Sequence, residues 1–86
     1  MNLLNDLGYE RVTCDVPSYI KYRKRDYRNI ADIVLILNPS DKTISGGLIT
    51  LKSMRDEDDI AYQYTVFREY KRDIEAISEK LGYLII

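Results

Sequence analysis

The chain contains 86 residues with a formal net charge of −1; 45% of the residues are apolar and 31% are charged. This length holds one domain with a single core, and the apolar content excludes a disordered chain. The nearly balanced charge excludes a general electrostatic affinity for nucleic acid or for a membrane surface.

The first part of the chain is predicted to form a sheet. A short N-terminal helix with a buried leucine side ends at Gly8. Alternating apolar and polar residues, separated by turn residues, then predict four strands at 9–16, 19–25, 30–38 and 43–51. The third strand is rich in Ile and Val and is expected at the centre. Gly46 and Gly47 predict a bulge in the fourth strand or a close helix crossing.

A long amphipathic helix is predicted over residues 56–82. Ser53 and Asp56 resemble a capping box at its start, and Gly82 suits its C-terminal end. Residues 83–86 follow as a short strand or an apolar extension. Large side chains recur along the helix in steps of three and four, so they share a face that is expected to cover the sheet; they are Ile60, Tyr64, Phe67, Tyr70, Ile74, Ile77 and Leu81.

Runs of strands bounded by helices are typical of the α+β class. We therefore predict a single α+β domain over residues 1–86, with a short N-terminal helix, a four-stranded antiparallel meander, a long C-terminal amphipathic helix and a possible short C-terminal strand. The longest apolar run, 33–37, is far shorter than the roughly 20 residues of a membrane span, and the amino terminus lacks the features of a signal peptide. We expect a cytoplasmic protein.

The residue types that most catalytic sites need are scarce. The chain has no histidine, and no residue near Cys14, the single cysteine, would activate its thiol. The carboxylates of the acidic run 56–59 point in different directions on a helix, so this run is better explained as helix N-terminal charge than as a metal site. We predict a protein without enzymatic activity and without a metal or other cofactor.

A second apolar strip lies beside the main stripe of the long helix. Tyr62 and Val66, four residues apart, form this strip, and the apolar C-terminal end adds further surface that one small core cannot hide. Such a surplus predicts a surface that binds a protein partner or a second copy of the chain, as a homodimer. The predicted partner-binding residues are Tyr62, Val66, Tyr83 and Leu84.

The second predicted strand supports an alternative function. Its basic residues alternate with tyrosines, which is the composition of a surface that stacks bases and holds phosphates of a single-stranded nucleic acid. The alternative depends on whether the basic residues form an exposed patch or are neutralised by acids of the long helix. The residues of this predicted nucleic-acid-binding site are Tyr19, Lys21, Tyr22, Arg23, Arg25 and Arg28, with Tyr27 between the last two.

Three features of the sequence occur together in one group of known proteins. A strand with Tyr and Lys at 19–25 is followed by a hairpin through Ile49 and by a closing helix with Ala76-Ile77 and then Leu81-Gly82-Tyr83. This combination resembles the small uncharacterised proteins of phages and prophages of Gram-positive bacteria. The resemblance implies a host-interaction or accessory protein and implies no catalytic residues.

Overall fold

The structure, a computed structural model, describes residues 3–26, 28–51 and 57–86. The predicted capping box of Ser53 and Asp56 and the predicted stacking residue Tyr27 lie outside these residues. The elements, in chain order, are α1 (Leu3–Asp6), β1 (Glu10–Val12), β2 (Ile20–Arg25), β3 (Ala31–Asn38), β4 (Thr43–Thr50), α2 (Glu57–Leu81) and β5 (Leu84–Ile85).

The strands form one sheet in the order β1-β2-β3-β4-β5. Neighbouring strands from β1 to β4 are antiparallel, which confirms the predicted meander and the α+β class. The short C-terminal strand is also present. It lies parallel to β4, because α2 carries the chain back along the sheet before β5 begins.

The core lies between the sheet and α2. Strand β3 is central and buried almost throughout, as its Ile- and Val-rich sequence predicts. Register places Ile33, Leu35 and Leu37 on the α2 side, level with Lys24, Tyr22 and Ile20 of β2, respectively. The opposite side of the sheet, here called the open face, carries Asp32, Val34 and Ile36.

Both glycines that follow helices adopt the left-handed conformation expected of them. Gly8 has a φ of 96° and Gly82 has a φ of 71°. The N–H of Tyr9 donates to the carbonyl of Leu4 at 2.9 Å, and the N–H of Tyr83 donates in the same way to Ser78 at 3.1 Å. One capping arrangement therefore ends both helices.

The predicted bulge in β4 is absent. The pairing of β3 with β4 runs without interruption from Ala31 opposite Thr50 to Asn38 opposite Thr43. The predicted close helix crossing is present, at Gly46 alone. A Cβ there would lie 3.2 Å from Cε1 of Tyr70 on α2, whereas a Cβ at Gly47 would meet no atom within 4 Å.

The buried face of α2 differs from the predicted stripe. Ile74 and Ile77 are buried as expected, but Phe67 remains 46% exposed, while Val66 is only 1% exposed. The buried face is turned toward Val66, and two acids outside the predicted stripe, Asp59 and Asp73, lie on it as well. Basic partners from the first part of the chain contact both acids, so their burial is tolerated.

Among residues 3–26, 28–51 and 57–86, no helix combines the length and the apolar character that crossing a bilayer requires.

Candidate protein-interaction surface

The two residues of the predicted partner-binding strip on α2 do not form an exposed apolar surface. Val66 is part of the core, so the prediction that it lies exposed for a partner is wrong, and Tyr62 is half-buried against the core. Tyr83 also packs partly on the core. Of the four predicted residues only Leu84 is mostly exposed, at 68%. The physical reason is the rotation of α2, which turns Val66 inward and other apolar side chains outward.

Three large apolar side chains in the first half of α2 are exposed on its β4 side. Ile60, Tyr64 and Phe67 are 44%, 66% and 46% exposed, and they flank a groove of about 300 Å3 whose floor includes Leu48 of β4. The ring of Phe67 packs against the ring of Tyr70 one turn along the helix, with 5.9 Å between the centroids. We call Leu48, Ile60, Tyr64 and Phe67 the edge surface.

The edge surface adjoins an open strand edge. Strand β5 pairs only with Thr43 and Ile44, so within the described residues β4 has one strand neighbour from position 45 to position 50. The N–H groups of Leu84 and Ile86 donate to the carbonyls of Lys42 and Ile44. Even-numbered residues of β4 therefore direct their backbone polar groups outward. In the part of β4 that β5 does not cover, the backbone N–H and C=O groups of Gly46, Leu48 and Thr50 therefore lie on the open edge.

The basic residues of β2 lie on the open face of the sheet. Register places Lys21, Arg23 and Arg25 opposite Ile36, Val34 and Asp32 of β3, respectively. Tyr22 points the other way and is 7% exposed, so it is not available to stack on a base. Tyr19, 37% exposed, is the one described tyrosine of the predicted site that is accessible.

Most of the predicted nucleic-acid-binding cations have acidic partners. Nη2 of Arg23 lies 2.5 Å from Oε1 of Glu10, and Nε of Arg25 lies 2.9 Å from Oδ1 of Asp32. These acids belong to the neighbouring strands β1 and β3. The sequence analysis instead asked whether acids of the long helix neutralise these cations. The pairing with Asp32 raises the pKa of the Arg25 guanidinium.

Within residues 3–26, 28–51 and 57–86, Arg28 is the cation of this set that forms an ion pair with α2. Its Nη2 lies 3.5 Å from Oδ1 of Asp59, and its guanidinium carbon lies 4.7 Å from the centroid of the Tyr62 ring. In this cation–π contact the guanidinium of Arg28 lies over one face of the Tyr62 ring. Arg28 thus helps to hold Tyr62, which the sequence had assigned to a partner.

A buried polar cluster joins the two halves of the chain. Nζ of Lys24 lies 2.7 Å from Oδ2 of Asp73 and 2.8 Å from Oε2 of Glu69, and it donates a third bond to the carbonyl of Leu7 at 3.0 Å. The same ammonium group lies 4.6 Å from the centroid of the Tyr9 ring. Lys24 alternates with Ile20 and Tyr22 on the apolar side of β2, and this was the signal in the sequence for its burial.

Tyr9 completes this cluster by donating from its hydroxyl to Oδ2 of Asp73 at 3.0 Å. Burial raises the pKa of Tyr9 above its ordinary value of 10.0, and the negative charge of Asp73 raises it further. Two carboxylates and a carbonyl engage the amine of Lys24, so it is not free to act as a nucleophile. The cluster has a structural role, because it links the segment after α1 to β2 and α2.

The acidic and thiol groups do not assemble into a metal site among residues 3–26, 28–51 and 57–86. Cys14 is half-buried in the segment between β1 and β2. Comparison of the chain with models of protein families, with curated proteins and with solved structures finds no match.

Proposed function

We propose that this protein acts by binding another protein through the edge surface, and not by catalysis. The observation that carries the proposal is the exposure of Ile60, Tyr64 and Phe67 in one strip beside a groove. Single exposed apolar residues are ordinary, but a contiguous apolar strip on a small domain is typical of an interaction site.

The composition of the strip also fits a protein partner. Tyrosine and phenylalanine are enriched in the cores of protein–protein interfaces, whereas charged residues are depleted there. The groove is lined by Leu48, Ile60, Gln63, Tyr64 and Phe67, none of which carries a charge.

The experiment compares two double variants of α2. The substituted positions of the second variant are each one residue later in the chain than those of the first. Ile60→Glu with Tyr64→Glu places two acids on the edge surface. Ala61→Glu with Thr65→Glu adds the same charge at the same spacing on exposed positions of the neighbouring side. Each variant and the wild type are tagged and used to capture proteins from cells that produce the chain, and circular dichroism checks that all three are folded.

We expect the wild type and the 61/65 variant to capture the same proteins, including untagged copies of the chain if it self-associates. The 60/64 variant is expected to lose them. Equal capture by all three folded proteins would show that the edge surface is not the binding site.

Nucleic-acid binding through β2 has less support. It requires accessible cations and stacking rings, and the structure pairs Arg23, Arg25 and Arg28 with acids while it buries Tyr22. Lys21 is the one cation of this set without an acidic partner among the described residues.

A further inference from the structure

We infer that the edge surface binds a second copy of the chain, and that the two copies join by antiparallel pairing of their β4 strands across a two-fold axis. This inference rests on the proposed function, because it names the partner of the same surface. It goes beyond that proposal by assigning the backbone of β4 as the main contact and the two α2 helices as its cover.

The first argument is that the open part of β4 lacks the features by which sheet edges usually avoid pairing. Such edges carry charges, proline or a bulge. Residues 45–50 read Ser-Gly-Gly-Leu-Ile-Thr, without a charge or a proline, and their pairing with β3 is regular. The other edge of the sheet differs, since β1 carries the charged and exposed residues Glu10 and Arg11.

The second argument is the length and position of the open stretch. Six residues of β-strand extend about 20 Å, which is the length of an ordinary strand in a sheet. Strand β5 covers Thr43 and Ile44 and so bounds the stretch on one side. An antiparallel pairing centred on Leu48 uses residues 46–50 of each copy and leaves β5 of both copies in place.

The third argument is that such pairing is self-complementary. A two-fold axis through Leu48 places Gly46 of one copy opposite Thr50 of the other, so every contact is repeated by symmetry. The two α2 helices then lie antiparallel on the same side of one continuous sheet. Ile60, Tyr64 and Phe67 of each copy face the equivalent strip, and no like charges among the groove-lining residues oppose each other.

The area available indicates a moderate affinity. A fully buried aromatic side chain covers about 150–250 Å2, so the exposed fractions of Tyr64 and Phe67 supply roughly 200 Å2 per copy. Ile60, Leu48 and the strand backbones add to this, whereas a standard interface buries about 800 Å2 per partner. We therefore expect a reversible dimer at micromolar concentrations.

Sedimentation equilibrium over a range from about 1 to about 500 μM tests the dimer, since that range spans the dissociation constants of small reversible interfaces. The 60/64 variant should raise the dissociation constant by at least about tenfold, which corresponds to about 1.4 kcal/mol. The 61/65 variant should leave it unchanged. A wild type that remains monomeric over the whole range would overturn the inference. The capture experiment would still decide the proposed function.

Hydrogen exchange of the wild type tests the strand pairing and needs no variant. In the monomer the amides of Ser45, Gly47 and Ile49 face β3, and those of Gly46, Leu48 and Thr50 face outward. Only the outward set should gain protection, by about tenfold or more, when the concentration is raised through the dimerisation range. A dimer whose outward amides gain no protection would place the interface elsewhere and would overturn β4 pairing.

Discussion

The hydroxyl of Tyr9 donates a hydrogen bond to Oδ2 of Asp73, 3.0 Å away and 64 positions later in the chain. The same carboxylate oxygen accepts from Nζ of Lys24 at 2.7 Å. Asp73 is 3% exposed, so its charge is tolerated only because these partners replace water. These contacts hold the Asp73 side of α2 against β2, and Ile60, Tyr64 and Phe67 remain exposed on the helix.

The Tyr9–Asp73 bond predicts a dependence of stability on alkaline pH. Burial raises the pKa of Tyr9 in the folded state above 10.0. Below pH 10 both states are neutral at this residue and the bond contributes fully. Above about pH 10 the unfolded chain ionises at Tyr9 while the folded chain does not. The free energy of unfolding then falls by about 1.4 kcal/mol per pH unit from this group.

Tyr9→Phe isolates this contribution, since the other tyrosines titrate equally in both proteins. At pH 8 the variant should be about 1 kcal/mol less stable than the wild type, for the loss of one hydrogen bond. The difference should close and then reverse between pH 10 and pH 12, as measured by urea unfolding. A difference that stays constant over that range would show that Tyr9 is not shielded as the structure has it.

Lys24 and Asp73 are predicted to be strongly coupled. Lys24→Met leaves the buried carboxylate of Asp73 without its cation and should cost about 3 kcal/mol, much of the ~5 kcal/mol stability expected of a domain this small. The double variant Lys24→Met, Asp73→Asn removes both charges and should regain at least about 1 kcal/mol. Denaturant melts of the wild type, Lys24→Met, Asp73→Asn and the double variant give the coupling energy. Losses that simply add would mean that the two charges do not interact.

The placement of α2 predicts unequal costs for two truncations that the sequence pattern treated alike. Ile74 is 2% exposed, and Ile74→Ala should cost about 3 kcal/mol. Phe67 is 46% exposed, and Phe67→Ala should cost less than about 1.5 kcal/mol because much of its ring is already in water. Guanidinium unfolding of both variants, below the dimerisation range, measures the difference. A larger loss of stability for Phe67→Ala than for Ile74→Ala would mean that Phe67 is buried, as the sequence pattern predicts.

Local signals in the sequence were sufficient for most of the fold. Gly82 and the periodicity before it predicted the end and the existence of α2, because a cap and a repeat depend on residues within a few positions. The four-stranded meander followed from turn residues between apolar runs. The N-terminal strand was predicted too long, at 9–16, because pairing with β2 extends only over Glu10–Val12.

The candidate site could not be predicted in the same way, because it depends on contacts between distant parts of the chain. Whether Asp73 lies inward is decided by Lys24 and Tyr9, and no pattern within the helix contains that information. Ile60 and Phe67 continued the spacing of true core residues, so periodicity assigned them to the core. The pattern therefore did not distinguish the exposed strip from the core residues of the predicted stripe. Val66, which lies outside that stripe, is buried in the core.

The two glycines of β4 allow a final test of how closely β3 and α2 pack against this strand. A Cβ at Gly46 would lie 2.3 Å from the carbonyl oxygen of Val34 and 3.2 Å from Cε1 of Tyr70, so Gly46→Ala forces the strand or the helix to shift and should cost about 2 kcal/mol. A Cβ at Gly47 meets nothing within 4 Å, and Gly47→Ala should be neutral or up to about 1 kcal/mol stabilising, because alanine restricts the unfolded chain. Thermal and urea unfolding of the two variants, one position apart, gives the comparison. Equal stability of the two would mean that the Val34 carbonyl and Tyr70 do not approach Gly46 as closely as the structure has them.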